Sequence, residues 1–141
     1  MTSETKTDPV ILPRVMSELI RIALRDIEKA EAAEGVEVDM GDWHDVYSDH
    51  CAMCAAGAVA RFGTGEAVGG RNWDPRLSLR NRQQFMAINS LRRGKVRIAA
   101  IELGLTVDAQ DDIDVTPHWL DPAQWKSDMS DMATMLEGLG L

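Results

Sequence analysis

The ten residues Cys51-Ala-Met-Cys-Ala-Ala-Gly-Ala-Val-Ala60 carry no charged side chain. An element that is apolar on every side has no face to turn to water, so it belongs at the centre of the molecule. Most of the ten are Ala or Gly, which lets neighbouring elements approach the backbone closely. The segment reads as a short central helix over about residues 50–62.

The flanking segments supply helices to surround it. Met16, Leu19, Ile20, Ala23, Ile27 and Ala30 recur at three- and four-residue steps, the helix period. Pro13 suits a first helical turn and Gly35 a stop, so a helix is predicted over 13–34. Residues 36–40 alternate apolar and polar like a short strand, although a strand without a visible partner reads equally as an extended connector. Beyond the glycine-rich stretch 63–70, Leu79, Phe85, Met86, Ile88 and Leu91 predict a helix over 78–93. Gly94 interrupts it, and 96–103 continues as a second helix, forming an αα-hairpin. Asp121-Pro122-Ala-Gln124 combines a cap, a first-turn proline and a capping-box glutamine. The helix that follows carries the stripe Trp125, Met129, Met132, Met135 and Leu136.

The fold class expected is therefore mainly α. One compact domain over 12–141 holds about five helices, with at most one short strand or hairpin, behind a flexible arm over 1–11. An apolar fraction of 45% over 141 residues suits one globular domain. No run of apolar residues is long enough to span a membrane. The polar start Met1–Asp8 lacks the features of a secretory signal, so the expected location is cytoplasmic.

The formal charge of −8 is unevenly spread. Residues 1–70 hold 6 Lys/Arg against 13 Asp/Glu, 71–97 hold 8 against 1, and 98–141 hold 1 against 9. A uniformly acidic chain repels nucleic acid, but this one has a basic band between two acidic flanks. Two readings follow: the band pairs with the flanks inside the fold, or it presents a face to an anionic partner.

Candidate chemistry begins with Cys51 and Cys54. The pair reads as two reduced cysteines packed as small apolar residues. Alternatives are zinc, with His50 and either His44 or His118 completing four ligands, and a redox pair, which normally follows a strand. No cofactor or metal is expected. The 63–70 loop contains no Gly-Lys-Ser/Thr, so it reads as a turn rather than a phosphate cradle. The basic hairpin is a little like a helix-turn-helix reader of DNA. Its second helix, however, offers no Asn, Gln, Ser or Thr to read bases. No Gly-x-Ser-x-Gly elbow is present, and the chain is read as a non-enzyme.

The run Asp49-His50-Cys51-Ala-Met-Cys54-Ala-Ala-Gly57-Ala-Val59 resembles a motif of small uncharacterised bacteriophage proteins, in which an acidic, Trp-containing lead-in precedes it. Residues 85–96, Phe-Met-Ala-Ile-Asn-Ser-Leu-Arg-Arg-Gly-Lys-Val, resemble a second block of the same proteins. The resemblance implies a viral accessory role, of the kind in which a small acidic protein binds a host protein such as a CRISPR effector or another nuclease. No catalytic residue comes with it.

The function expected is thus a non-enzymatic phage accessory protein, acting in the host cytoplasm as an inhibitor or modulator of a host protein. Its partner-binding residues would be Asp108, Asp111, Asp112 and Asp114, with Asp39, Asp42 and Asp45 in the acidic lead-in. The alternative is a small nucleic-acid-binding or transcription-modulating protein using Arg76, Arg80, Arg92, Arg93, Lys95 and Arg97. A metal or redox module at Cys51 and Cys54 stands third; otherwise Cys51, Cys54 and Gly57 form a structural motif.

Overall fold

The computed structural model describes residues 10–39, 44–47, 51–67, 72–92, 95–104 and 121–141. Among them the chain is mainly α-helical. Helix α1 spans Met16–Ala32, α2 Ala55–Ala58, α3 Arg82–Arg92, α4 Val96–Glu102 and α5 Pro122–Leu139. A π-helical turn, Val59–Gly63, continues α2, and a 3-10 turn, Pro75–Leu77, precedes α3.

Strong local signals place α1 and α5 close to where the sequence predicts them. The α1 face Met16, Leu19, Ile20, Ala23, Ile27 and Ala30 is buried. Gly35 takes φ +73 just beyond its end, a left-handed conformation that glycine adopts without a Cβ penalty. At α5, Asp121 Oδ1 accepts from the amides of Ala123 (3.0 Å) and Gln124 (3.4 Å), which satisfies two of the helix's unpaired donors. Gly140 closes α5 in the left-handed region. Four members of the predicted α5 stripe are buried, whereas Met135 is exposed and Ala133 takes its place.

The centre of the chain differs from expectation. Cys51–Met53 is a strand, β3, not the first turn of a helix. It is the middle of a three-stranded sheet, between β1 (Val36–Val38) and β2 (His44–Val46). β1 runs parallel to it, with Val36 opposite Cys51, and β2 antiparallel, with His44 opposite Met53. The Cys51 amide donates to the Gly35 carbonyl at 2.8 Å and the Asp39 amide to the Met53 carbonyl at 2.9 Å, extending the ladder at both ends. The sheet thus has one strand more than a hairpin. A central strand covered on both faces shows no polar–apolar alternation, and all three β3 residues are buried. Periodicity alone does not separate such a strand from a buried helix.

Every residue of α2 is buried, so the central helix exists but begins four residues past the strand's start. α1 packs against α5, α2, the π turn and β1, while α3 packs against α4 and α2. One apolar cluster joins them, with Met16, Leu19, Ile27, Met53, Phe85, Trp125 and Met129 among its largest members.

Candidate functional site

The α1–α5 contact uses the acidic flanks on each other. Arg21 donates to both Glu137 carboxylate oxygens, at 3.3 and 3.0 Å, and Lys126 reaches Glu31 at 2.6 Å. The Arg21 guanidinium holds the Glu137 carboxyl below the ordinary carboxylate range. A second group of cations, Arg25 and Lys29, serves the buried Asp26 within α1.

The basic band takes no part in these pairs. Arg76 pairs with Asp74, at 3.1 Å from Nε to Oδ1, and that guanidinium lowers the Asp74 pKa. Asp74 is the band's own acid and lies two residues away. Arg82 donates to the Arg76 carbonyl at 2.9 Å. Arg80 and Lys95 are exposed and enter none of the ion pairs among the described residues. Arg97 is exposed and has a partner. Arg92 closes α3, with its side chain outside the described residues, as is all of Arg93.

Large apolar side chains protrude among these arginines. Leu79 is 91% exposed and Leu77 61%. The sequence assigned Leu79 to the buried stripe of a helix beginning at 78. The helix begins instead at Arg82, which puts Leu79 in the lead-in and out of phase with the core. The first helical bond runs from the Phe85 amide to the Asn81 carbonyl at 2.8 Å, while the Asn81 amide is taken by Ser78 Oγ at 3.0 Å in the turn ahead of the helix.

Asn81 organises this region. It is buried, and its Oδ1 accepts from the Leu12 amide at 2.8 Å. Its Nδ2 donates to the Val10 carbonyl at 2.8 Å and to Glu66 Oε2 at 3.1 Å. Gln84 adds a bond to the Leu12 carbonyl at 3.0 Å. Two amide side chains therefore hold residues 10–12 as a strap across the start of α3. No local periodicity announces this contact, because its partners lie about 70 positions apart; buried polar residues inside an otherwise apolar face were the available signal. Asn81→Ala is expected to lower unfolding free energy by about 2 kcal/mol in urea, since it leaves the buried Leu12 amide unsatisfied. The same variant should be cut faster by protease ahead of Met16.

The strap, the turn after the π helix and the 77–81 segment enclose a cleft of about 230 Å³ lined by Val10, Thr64, Glu66, Leu77, Leu79, Arg80 and Asn81. Pockets for cofactors or drug-sized ligands usually hold roughly 300–1,000 Å³. This one suits one or two side chains of a larger partner.

The remaining candidates are placed as follows. Cys51 lies on β3, and Cys54 caps α2 in extended backbone. Extended chain rises about 3.3 Å per residue and alternates sides, so the two thiols sit roughly 10 Å apart at Cα and face opposite ways. A disulfide needs Cα atoms within about 7 Å. His50 and His118, which with His44 were the other zinc candidates, lie outside the described residues. Cys51 Sγ accepts from Arg61 at 3.6 Å, and both cysteines are buried. Gly57 is buried in α2. Among the described residues no three His, Cys, Asp or Glu side chains gather at metal-ligand spacing, and no helix is long and apolar enough to cross a membrane. Asp39 is exposed beside β1, and Asp45 lies on β2 opposite Ala52. Asp42, Asp108, Asp111, Asp112 and Asp114 lie outside the described residues, as do Gly69 and Gly70 of the glycine-rich loop.

The hairpin of α3 and α4 forms, but α4 exposes Ile98 and Ile101 on its outer side. A base-reading helix needs polar side chains there. No family model, curated protein or solved structure matches the chain.

Proposed function

We propose that the chain is a non-enzymatic interaction protein that binds another protein through its charged surface. The observation that carries this reading is the state of the basic band: the acidic flanks pair across α1 and α5, Arg80 stands exposed beside the protruding Leu77 and Leu79, and Lys95 is exposed beyond the other end of α3. Apolar side chains ringed by arginine are the usual composition of a protein-binding patch. The partner is accordingly acidic on the surface that meets this face. The resemblance to phage proteins supplies the setting, in which the partner is a host protein, such as a CRISPR effector or another nucleic-acid-handling protein, and binding inhibits or modulates it.

Affinity capture from host lysate, with and without nuclease, tests the reading against nucleic-acid binding. A protein is expected to be retained at 50–100 mM salt after nuclease treatment. The double variant Arg80→Glu/Lys95→Glu should weaken its retention about tenfold or more, as charge reversal does at an electrostatic interface. Loss of the captured protein on nuclease treatment, or retention unchanged by charge reversal, contradicts the proposal. A DNA or RNA complex would instead show the steep salt dependence of counterion release.

A further inference from the structure

We propose that the cleft beside Arg80 is a docking site for an extended acidic segment of a partner protein, which seats one apolar side chain between Leu77 and Leu79 and a carboxylate on Arg80. This inference rests on the interaction reading above and names its point of contact.

Four observations converge on it. The cleft of about 230 Å³ has the size of a side chain or two. Its rim is apolar and uncovered: Leu79 is 91% exposed, and Leu77 and Val10 stand on the same rim. Its floor is rigid, because the Asn81 side chain is buried and bonded to Leu12, Val10 and Glu66. A preorganised floor lowers the ordering cost of binding. Its charge is complementary to an acid. Arg80 lines the cleft and enters no ion pair among the described residues, with the Arg76 and Arg82 side chains exposed close by in sequence. The single lining carboxylate, Glu66, accepts from Asn81 Nδ2 at the buried end of the cleft and keeps its charge, so the incoming acid is placed on the exposed Arg80.

An extended occupant fits better than a helix. The strap over residues 10–12 already lies along this edge with its backbone bonded by amide side chains. A partner segment in extended conformation presents alternate side chains to one face, one into the cleft and its neighbours toward the arginines. Ile98 and Ile101 of α4 are also exposed, and nothing among the described residues identifies what covers them.

The test is an amide-resolved NMR titration of the full-length, 15N-labelled chain with three synthetic heptapeptides and a short DNA duplex. The first peptide has a central leucine among Asp and Glu residues. The second replaces that leucine by serine, and the third replaces the acids by lysine. The leucine–acid peptide is expected to shift the amides of Thr64, Glu66, Leu77, Leu79, Arg80 and Asn81. It should bind about tenfold tighter than either other peptide, the effect of losing one anchor side chain or its charge partner. Leu79→Asp and Arg80→Glu should each weaken it about tenfold; both residues are exposed, and the rest of the spectrum reports whether the fold is intact. Equal binding of the serine peptide overturns the cleft and leaves the charged-surface reading standing. Shifts elsewhere, no shifts at millimolar peptide, or equal shifts from the DNA duplex also overturn it.

Discussion

Gly63→Ala is expected to remove about 3 kcal/mol of unfolding free energy, a large share of the stability of a domain this size. Gly63 closes the π turn, whose bond from the Thr64 amide to the Val59 carbonyl measures 2.8 Å. A Cβ at this position would collide with Asp26 Oδ2 and press on Val59 Cγ1 at 3.3 Å. Asp26 has nowhere to go. Its side chain is 0% exposed, and its two oxygens are held by the Arg25 fork at 3.0 and 3.2 Å, with Lys29 at 3.7 Å. Relief requires either a backbone shift in the turn or separation of a buried carboxylate from its cations. The first costs roughly 1–3 kcal/mol as overpacking, and the second roughly 3–5 kcal/mol as a broken buried pair. Urea unfolding of the single and double variants checks the cause. The double variant Gly63→Ala/Asp26→Ala should cost less than the sum of the two singles by about 1–2 kcal/mol, since the clash is shared. A Gly63→Ala variant within about 0.5 kcal/mol of the parent would show that the turn yields freely.

The second large effect is expected at Trp125. Its side chain is 1% exposed, and its indole Nε1 donates to the Leu91 carbonyl at 3.0 Å. Leu91 lies in the last turn of α3, where carbonyls lack an intrahelical donor; the Lys95 amide goes to Ser90 instead, at 2.7 Å. Trp125 therefore does two things: it fills the core between α5 and α3, and it caps α3. Trp125→Ala should cost about 3–5 kcal/mol through the cavity it leaves. Trp125→Phe keeps most of the apolar volume and loses the donor, so it should cost less, about 1–2 kcal/mol. Thermal and urea unfolding of both variants separate the packing contribution from the hydrogen bond. Equal losses for Phe and Ala would mean that the hydrogen bond outweighs the packing.

These two sites differ in how visible they are in the sequence. Trp125 sits three residues past a helix-start signal, on an apolar stripe, and its burial follows from periodicity. Gly63 reads only as the first glycine of a loop. Its importance comes from Asp26, 37 positions earlier, a residue that local pattern assigns to the solvated side of α1. A charged residue on a helix is normally solvated; here the π turn packs over it.

The candidate binding face was legible in part. The charge count located the arginine band and raised the question of whether the flanks neutralise it. Among the described residues, Arg21–Glu137 and Lys126–Glu31 join the flanks to each other. The cleft itself was not legible. Val10, Thr64, Leu79 and Asn81 come from three separate stretches, which the bonds of Asn81 and Gln84 to the strap and of Asn81 to Glu66 bring together.

Helices with local signals could be read from the chain before any packing was known. The α1 stripe, the Asp121 cap and the Gly140 stop act within one or two turns, so neighbouring residues suffice to set them. The chain also marks residues 51–60 as interior, because nothing in them tolerates water as a partner. Tertiary structure alone decided that the first three of those residues form a strand, since a strand exists only through distant partners such as Val36 and His44. It decided that Cys51 and Cys54 face apart, that Asp26 is buried and that Leu79 is not. Burial depends on what packs over a residue, and that covering comes from parts of the chain that short-range pattern does not connect.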